Sequence, residues 1–223
     1  MPLRICIFIP IGIFLSPELL TMGKAEKTRQ YIIEQTAPVF SRQGYAGTSI
    51  NDLTGVTGLT KGSIYGNFKN KDEVALAAFD YNMGLVVQEI ESMMIPRAAY
   101  IDKLLVFTDF YRDSLRRKRF QWGCPIVNTA PEVDDTHPVL RERVNEAIAR
   151  WRKTMVRLME KGMDAGEIKA DTQPEVMADV IMALIEGAVM LAKSTGRFDI
   201  LRHGIDQAEK LIKGLAADTN AKE

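Results

Sequence analysis

Between Thr48 and Lys71 the chain reads Thr-Ser-Ile-Asn-Asp-Leu-Thr-Gly-Val-Thr-Gly-Leu-Thr-Lys-Gly-Ser-Ile-Tyr-Gly-Asn-Phe-Lys-Asn-Lys. Hydroxyls, amides and lysines recur through it, and such groups hydrogen-bond to phosphates and to base edges. Their spacing sorts them onto short helices. Ser49 is suited to cap a helix, with Asp52 reaching back as its capping-box partner, so a first short helix starts near Ile50. Gly58 follows the apolar pair Leu53 and Val56 and permits the left-handed backbone that stops so short a helix. Thr60 then caps a second helix, in which Ile64 and Phe68 share one face while Gly62, Ser63, Tyr65 and Gly66 lie on the other.

The first face is core and the second is free. Two glycines on a free face cost an isolated helix roughly 1 kcal/mol each relative to alanine, which calls for a reason such as close approach to another surface. The major groove of DNA is such a surface. Lys61 and Lys71 bracket this unit, and Asn70 with Glu73 caps a further helix whose N-terminal amides can face a phosphate backbone. An ordinary pair of amphipathic helices stays open as the alternative, because helix-turn-helix geometry also occurs in proteins that bind no nucleic acid.

At these residues the chain resembles the TetR family of bacterial transcriptional regulators, in detail over Lys27 to Asn82 and in layout beyond. The motif stands here as Gly44-Tyr45, Thr48-Ser49-Ile50, Asp52-Leu53, Gly58-Leu59-Thr60-Lys61-Gly62-Ser63-Ile64-Tyr65, Asn67-Phe68 and Lys71-Asp72-Glu73, after a helix holding Ile32, Ile33, Ala37 and Phe40. The resemblance implies an all-α fold, with an N-terminal three-helix helix-turn-helix DNA-binding domain over 22–70 and a larger helical ligand-binding and dimerisation domain over 71–223. It implies that Thr60, Lys61, Gly62, Ser63, Tyr65 and Asn67 approach DNA from the recognition helix, with Thr48, Ser49 and Lys71 on phosphates. Two positions depart from the family pattern. Gly66 replaces an aromatic or histidine that touches the backbone in many members, and Pro38 is expected to kink the first helix one turn earlier.

Composition fits a soluble globular protein: 223 residues, 46% hydrophobic and 26% charged. The formal net charge of +0 requires any phosphate-binding surface to be local. Lys24 to Glu73 carries seven basic residues against five acidic ones, a mild excess in the right place. Cys6 and Cys124 make neither a disulfide framework nor a zinc pattern, and with only His137 and His203 no multi-histidine metal site is expected. A reducing cytoplasm suits this content. Arg4 precedes an apolar run, Ile5 to Leu15, of signal-peptide length, but Pro10 breaks it, no small-residue cleavage site follows, and it is too short to span a bilayer. Met22 stands just ahead of the first amphipathic helix, so residues 1–21 are expected to be a disordered extension or a misassigned start.

Beyond Lys71 the periodicity stays helical. One long helix runs from Lys71 towards Pro96, and others are expected at about Ala98 to Arg117, Pro138 to Ala165, Pro174 to Thr195 and Ile200 to Ala217, with a short piece near Cys124 to Thr129. Thr172 with Pro174 and Glu175 marks a start. The stretch Val180 to Ile185 is unbroken apolar, so its helix is expected to be buried all round. A central core helix explains that; the resemblance instead implies a helix between a ligand cavity and a two-fold interface made with the last helix, where Gly187 and Ala188 let partner backbones approach. Two recognition helices in successive major grooves about 34 Å apart require such a homodimer and a palindromic operator.

Phe107, Phe110, Tyr111, Trp122, Met155, Met159, Met163, Met182 and Met190 suggest an adaptable apolar cavity, with plain core packing as the simpler reading. Glu186 is a polar candidate in that cavity or in a dimer salt bridge. Gly123-Cys124-Pro125-Ile126-Val127 resembles a segment that places a cysteine near the pocket in family members, some of them sensitive to oxidants or electrophiles. Lys193 would lower the Cys124 pKa if nearby; the alternative is an inert packed thiol. The basic run Arg116 to Arg119 reads as a solvated helix end. The resulting expectation is a homodimeric repressor released from its operator by a small, largely apolar effector. A sensor acting through Cys124 and a helical adaptor without DNA binding are the alternatives. An enzyme is disfavoured: in Gly58 to Ser63 the lysine precedes the glycine, the reverse of a phosphate-binding loop, and no metalloprotease, nucleophile-elbow or dinucleotide motif occurs. No catalytic residue, metal or cofactor is expected.

Overall fold

The structure, a computed structural model, describes residues 23–114 and 123–217. It is all-α, with nine helices and no strand among the described residues: α1 Lys24–Gly47, α2 Ile50–Thr57, α3 Lys61–Tyr65, α4 Lys71–Met94, α5 Tyr100–Ser114, α6 Pro125–Val133, α7 Pro138–Asp164, α8 Pro174–Thr195 and α9 Phe198–Gly214. The expectations for residues 1–21, Trp122 and the Arg116 to Arg119 run fall outside the described residues.

Local chemistry sets the short helices. The Ser49 hydroxyl accepts from Asp52 N (3.2 Å) while Asp52 accepts from Ser49 N (2.7 Å), a complete capping box for α2. Gly58 ends α2 at φ 66°, and the Thr60 hydroxyl caps α3 by accepting from Ser63 N at 3.1 Å. Asn70 caps α4 through Glu73 N at 2.9 Å. Gln173, not Thr172, is the N-cap of α8, with Pro174 in its first turn.

Apolar side chains form two cores. Ile32, Leu53, Ile64, Phe68 and Val74 bury one another where α1, α2, α3 and the first turn of α4 meet. The larger core collects Phe79 and Val86 of α4 with residues of α5 to α9. Because α4 feeds both cores, it ties the small helical unit to the large one. Ion pairs stitch the larger unit between helices: Arg112 of α5 holds Asp206 (2.5 Å) and Glu209 of α9, and Arg152 of α7 holds Asp179 of α8 at 2.6 Å.

Three local expectations need correction. Pro38 sits inside α1 without any non-helical residue beside it; the break is at Gly44 (φ 74°, ψ 178°). There Glu132 of α6 fills the space a side chain would need, since a Cβ on Gly44 would lie 2.4 Å from its Oε2. The second correction concerns α8, which is not buried all round. Ile181, Ile185, Val189 and Ala192 face the core, but Val176, Val180, Ala183, Met190 and Leu191 are exposed in the single chain. The third is Ala188, which packs within its own chain: α9 approaches so closely that a Cβ on Gly204 would lie 2.4 Å from Ala188 Cβ. Gly187, with nothing within 4 Å of a Cβ, is on the open side.

Candidate nucleic-acid interface and buried polar cluster

The α2–turn–α3 unit turns its polar side chains outward. Ile64 is fully buried and Phe68 nearly so, whereas Ser49, Thr60, Lys61, Gly62, Tyr65 and Gly66 are exposed. Lys61 Nζ lies 5.8 Å from the centre of the Tyr65 ring, so a cation and an aromatic hydroxyl share one end of the face. Nothing in the chain demands a glycine at 62. Outside its own helix backbone, the nearest atom to a Cβ there would be Thr60 Oγ1 at 3.9 Å. An open groove lined by Lys24, Lys27, Thr28, Tyr31 and Leu59 lies where α1 meets the turn, with two lysines at its edge.

Four of the sequence-predicted contacts are half-buried or buried, and hold the unit together. Thr48 is buried and its hydroxyl donates to Gly44 O at 2.6 Å. Lys71 Nζ donates to Tyr45 O (2.9 Å) and Thr48 O (3.0 Å) and lies over the Tyr45 ring, so it satisfies the carbonyls at the end of α1. Asn67 Nδ2 donates to Ser63 O at 2.9 Å, and Ser63 is half-buried. Arg29, which sequence reasoning passed over, stacks on Phe68 at 4.0 Å, donates to Asn67 O and pairs with Glu73 at 3.1 Å.

Glu132 and Tyr45 were also missed. The break at Gly44 frees the amides of Tyr45 and Ala46, and Glu132 accepts both, at 2.7 and 2.5 Å. Tyr45 bonds through its hydroxyl to Asp72 and meets the His137 ring edge-on at 4.7 Å. Burial first, then Asp72 and Glu132, push the Tyr45 hydroxyl up to about 12, so it stays a donor. These contacts lock the small helical unit onto α6 and the start of α7.

The predicted cavity residues Phe107, Phe110, Tyr111, Cys124, Met155, Met159, Met182 and Glu186 gather in the larger core, where all but Glu186 are buried by whole-residue exposure. Met190 is exposed on α8 instead. Trp151, not singled out from sequence, stacks against both Phe107 (6.0 Å) and Tyr111 (5.8 Å). Its spacing with Met155 and Met159 on one helix face was the available signal. The carboxylate of Glu186 points into this core, and burial raises it from its ordinary 4.5 to about 7.

Cys124 differs from the sequence-based picture of a thiol activated by Lys193. Burial first, then the Glu186 charge, push the thiol well above its ordinary range, and Tyr111 Oη donates to its sulfur at 3.3 Å. Lys193 Nζ instead donates to Asn128 Oδ1 at 2.5 Å. As folded here the cysteine is a protonated, packed thiol. Among the described residues no cluster of three or more His, Cys, Asp or Glu is placed to hold a metal ion, and no helix is long and apolar enough to cross a membrane.

A five-residue helix set by a capped turn, with its apolar side in the core shared with α1, α2 and the start of α4 and its polar side free, completes a helix-turn-helix, the geometry that DNA-binding proteins dock in a major groove. Residues 32–78 match the family described as bacterial regulatory proteins, tetR family, and residues 101–208 match the tetracyclin repressor-like C-terminal domain. A TetR-family transcriptional regulator from Cytophaga hutchinsonii is 40% identical, with a TM-score of 0.82 over 89% of this chain and 99% of that one. A TetR regulator from Chloroflexus aurantiacus is 38% identical, also at TM-score 0.82, over 87% and 98%. The HTH-type transcriptional repressor DhaR of a Mycobacterium species is 24% identical over 74% of this chain and 82% of its own length. The chain belongs to the TetR family: it is a DNA-binding transcriptional regulator and not an enzyme.

Proposed function

We propose that this chain is a homodimeric repressor that binds a palindromic operator in the cytoplasm and is released by a small, largely apolar effector held in the C-terminal core. The observation that carries the reading is the outward face of α3, which is polar, cationic at Lys61 and glycine-smooth at 62 without any internal packing reason. On this reading Lys61, Gly62, Ser63, Tyr65 and Asn67 face the major groove, with Ser49 and Thr60 on phosphates. Lys24 and Lys27 add charge beside them. Thr48 and Lys71 act chiefly by fixing the α1–α2 corner that aims α3.

The exposed residues Val176, Val180, Ala183 and Met190, with half-buried Gly187 between the last two, recur every three or four residues along α8, and Leu191 adjoins them. Such a stripe on a regulator that needs two recognition helices is best used against a second copy, with α9 beside it. Effector binding is coupled to DNA through α4, which enters both cores, and through α6. The latter begins just after Cys124, inside the proposed effector core, and carries the Glu132 clamp on α1 near its end. DNA and effector must then oppose one another reciprocally. Genomic footprinting with the purified protein tests the reading. A symmetric site bound in a salt-dependent way supports it, and the absence of any preferred sequence refutes it.

A further inference from the structure

The following rests on the reading of the larger core as the effector site. Among the described residues, two buried polar groups in that core lack any hydrogen-bond partner: both carboxylate oxygens of Glu186 on α8 and the indole Nε1 of Trp151 on α7. One group accepts and the other donates, yet they do not satisfy each other. Buried polar atoms are paired in the great majority of cases, so two complementary orphans in one core point to a missing third party.

The surroundings narrow its chemistry. The Cys124 thiol offsets the burial of Glu186 by less than burial costs, makes no well-formed hydrogen bond with it, and already accepts from Tyr111. Lys193, two turns further along α8, donates to Asn128. A buried carboxylate is thus left without the cation that would offset its desolvation. The Phe107–Trp151–Tyr111 stack supplies aromatic surface beside it, which favours a positive charge over a negative one.

We propose that Glu186 and Trp151 are the two polar anchors of the effector site, and that the effector is an organic cation. A protonated amine pairs with the Glu186 carboxylate, an acceptor atom on the same molecule takes the Trp151 N–H, and the apolar remainder lies against the aromatic stack. An ordered water serving both groups is the competing explanation.

Titration calorimetry on the full chain without DNA, using three probes of one shape, decides between them. The probes are 2-phenoxyethylamine, neutral 2-phenoxyethanol and anionic phenoxyacetate. The expected result is a preference of about tenfold or more for the amine over the alcohol, with phenoxyacetate not bound. Glu186→Gln, which keeps size and shape, abolishes that preference, and Trp151→Phe weakens amine and alcohol alike because both carry the ether oxygen. Equal binding of amine and alcohol, a preference that survives in Glu186→Gln, or no binding of any probe overturns the proposal; the last result leaves water as the third party. A circular-dichroism melt of Glu186→Gln at least as stable as the parent excludes misfolding as the cause of lost binding. Operator binding, measured separately without probes, tests the regulator reading, so either can fail while the other stands.

Discussion

Glu186 is the residue whose environment contrasts most sharply with its charge. Burial raises its carboxyl from 4.5 to about 7, so between those values the folded chain keeps a proton there that the unfolded chain has lost. A folded pKa above the unfolded one contributes stability that is fully present below pH 4.5 and is lost as pH rises through about 7. Glu186→Gln should therefore gain on the parent between pH 5 and 8 by up to about 3 kcal/mol, read from urea unfolding at each pH. A difference that does not change with pH would mean the carboxylate is solvated or paired. Gly62 carries the opposite logic. Gly62→Ala meets no clash within the chain and should stabilise it by up to about 1 kcal/mol. Operator affinity should nevertheless fall, because the added methyl meets the groove; unchanged affinity in a filter-binding assay would remove Gly62 from the interface. Ser49, Thr60 and Ile64 were legible from the sequence because caps and four-residue spacing are local signals. Trp151 is equally legible by its spacing with Met155 and Met159, whereas residue type alone, the signal at Trp122, says nothing of which face a side chain takes.

At the scale of elements, helix ends were readable wherever a capping side chain sets them, as at Ser49, Thr60 and Asn70. The break in α1 was not, because its cause is distant. Pro38 looked like the breaker, but Gly44 yields, and it is held open by a carboxylate from α6. The exposed side of α8 was hidden for a related reason: an apolar stripe waiting for a partner and one buried in a core have the same composition. The Glu132 clamp makes a prediction at this scale. Glu132→Ala leaves the Tyr45 and Ala46 amides unserved and frees α1 from α6, so operator affinity should drop several-fold and respond less to effector. Binding isotherms with and without effector check this; an effector response equal to the parent's would remove α6 from the coupling.

For the whole molecule, net charge +0 leaves only a locally cationic end to meet phosphates, and the proposed homodimer would join two such weak half-contacts on one DNA. Val180, 42% exposed in the single chain, lies mid-stripe on α8. Val180→Glu places a charge where two copies would meet, and sedimentation velocity should show a folded monomer with weak operator binding. A dimer that persists would move the interface elsewhere. The most direct measurement is a hydroxyl-radical footprint of the purified protein on its selected DNA. The account predicts two protected half-sites related by two-fold symmetry, on one face of the duplex, with centres about 34 Å apart or a multiple of it. Protection of a single unrepeated site, or none that depends on sequence, would contradict it.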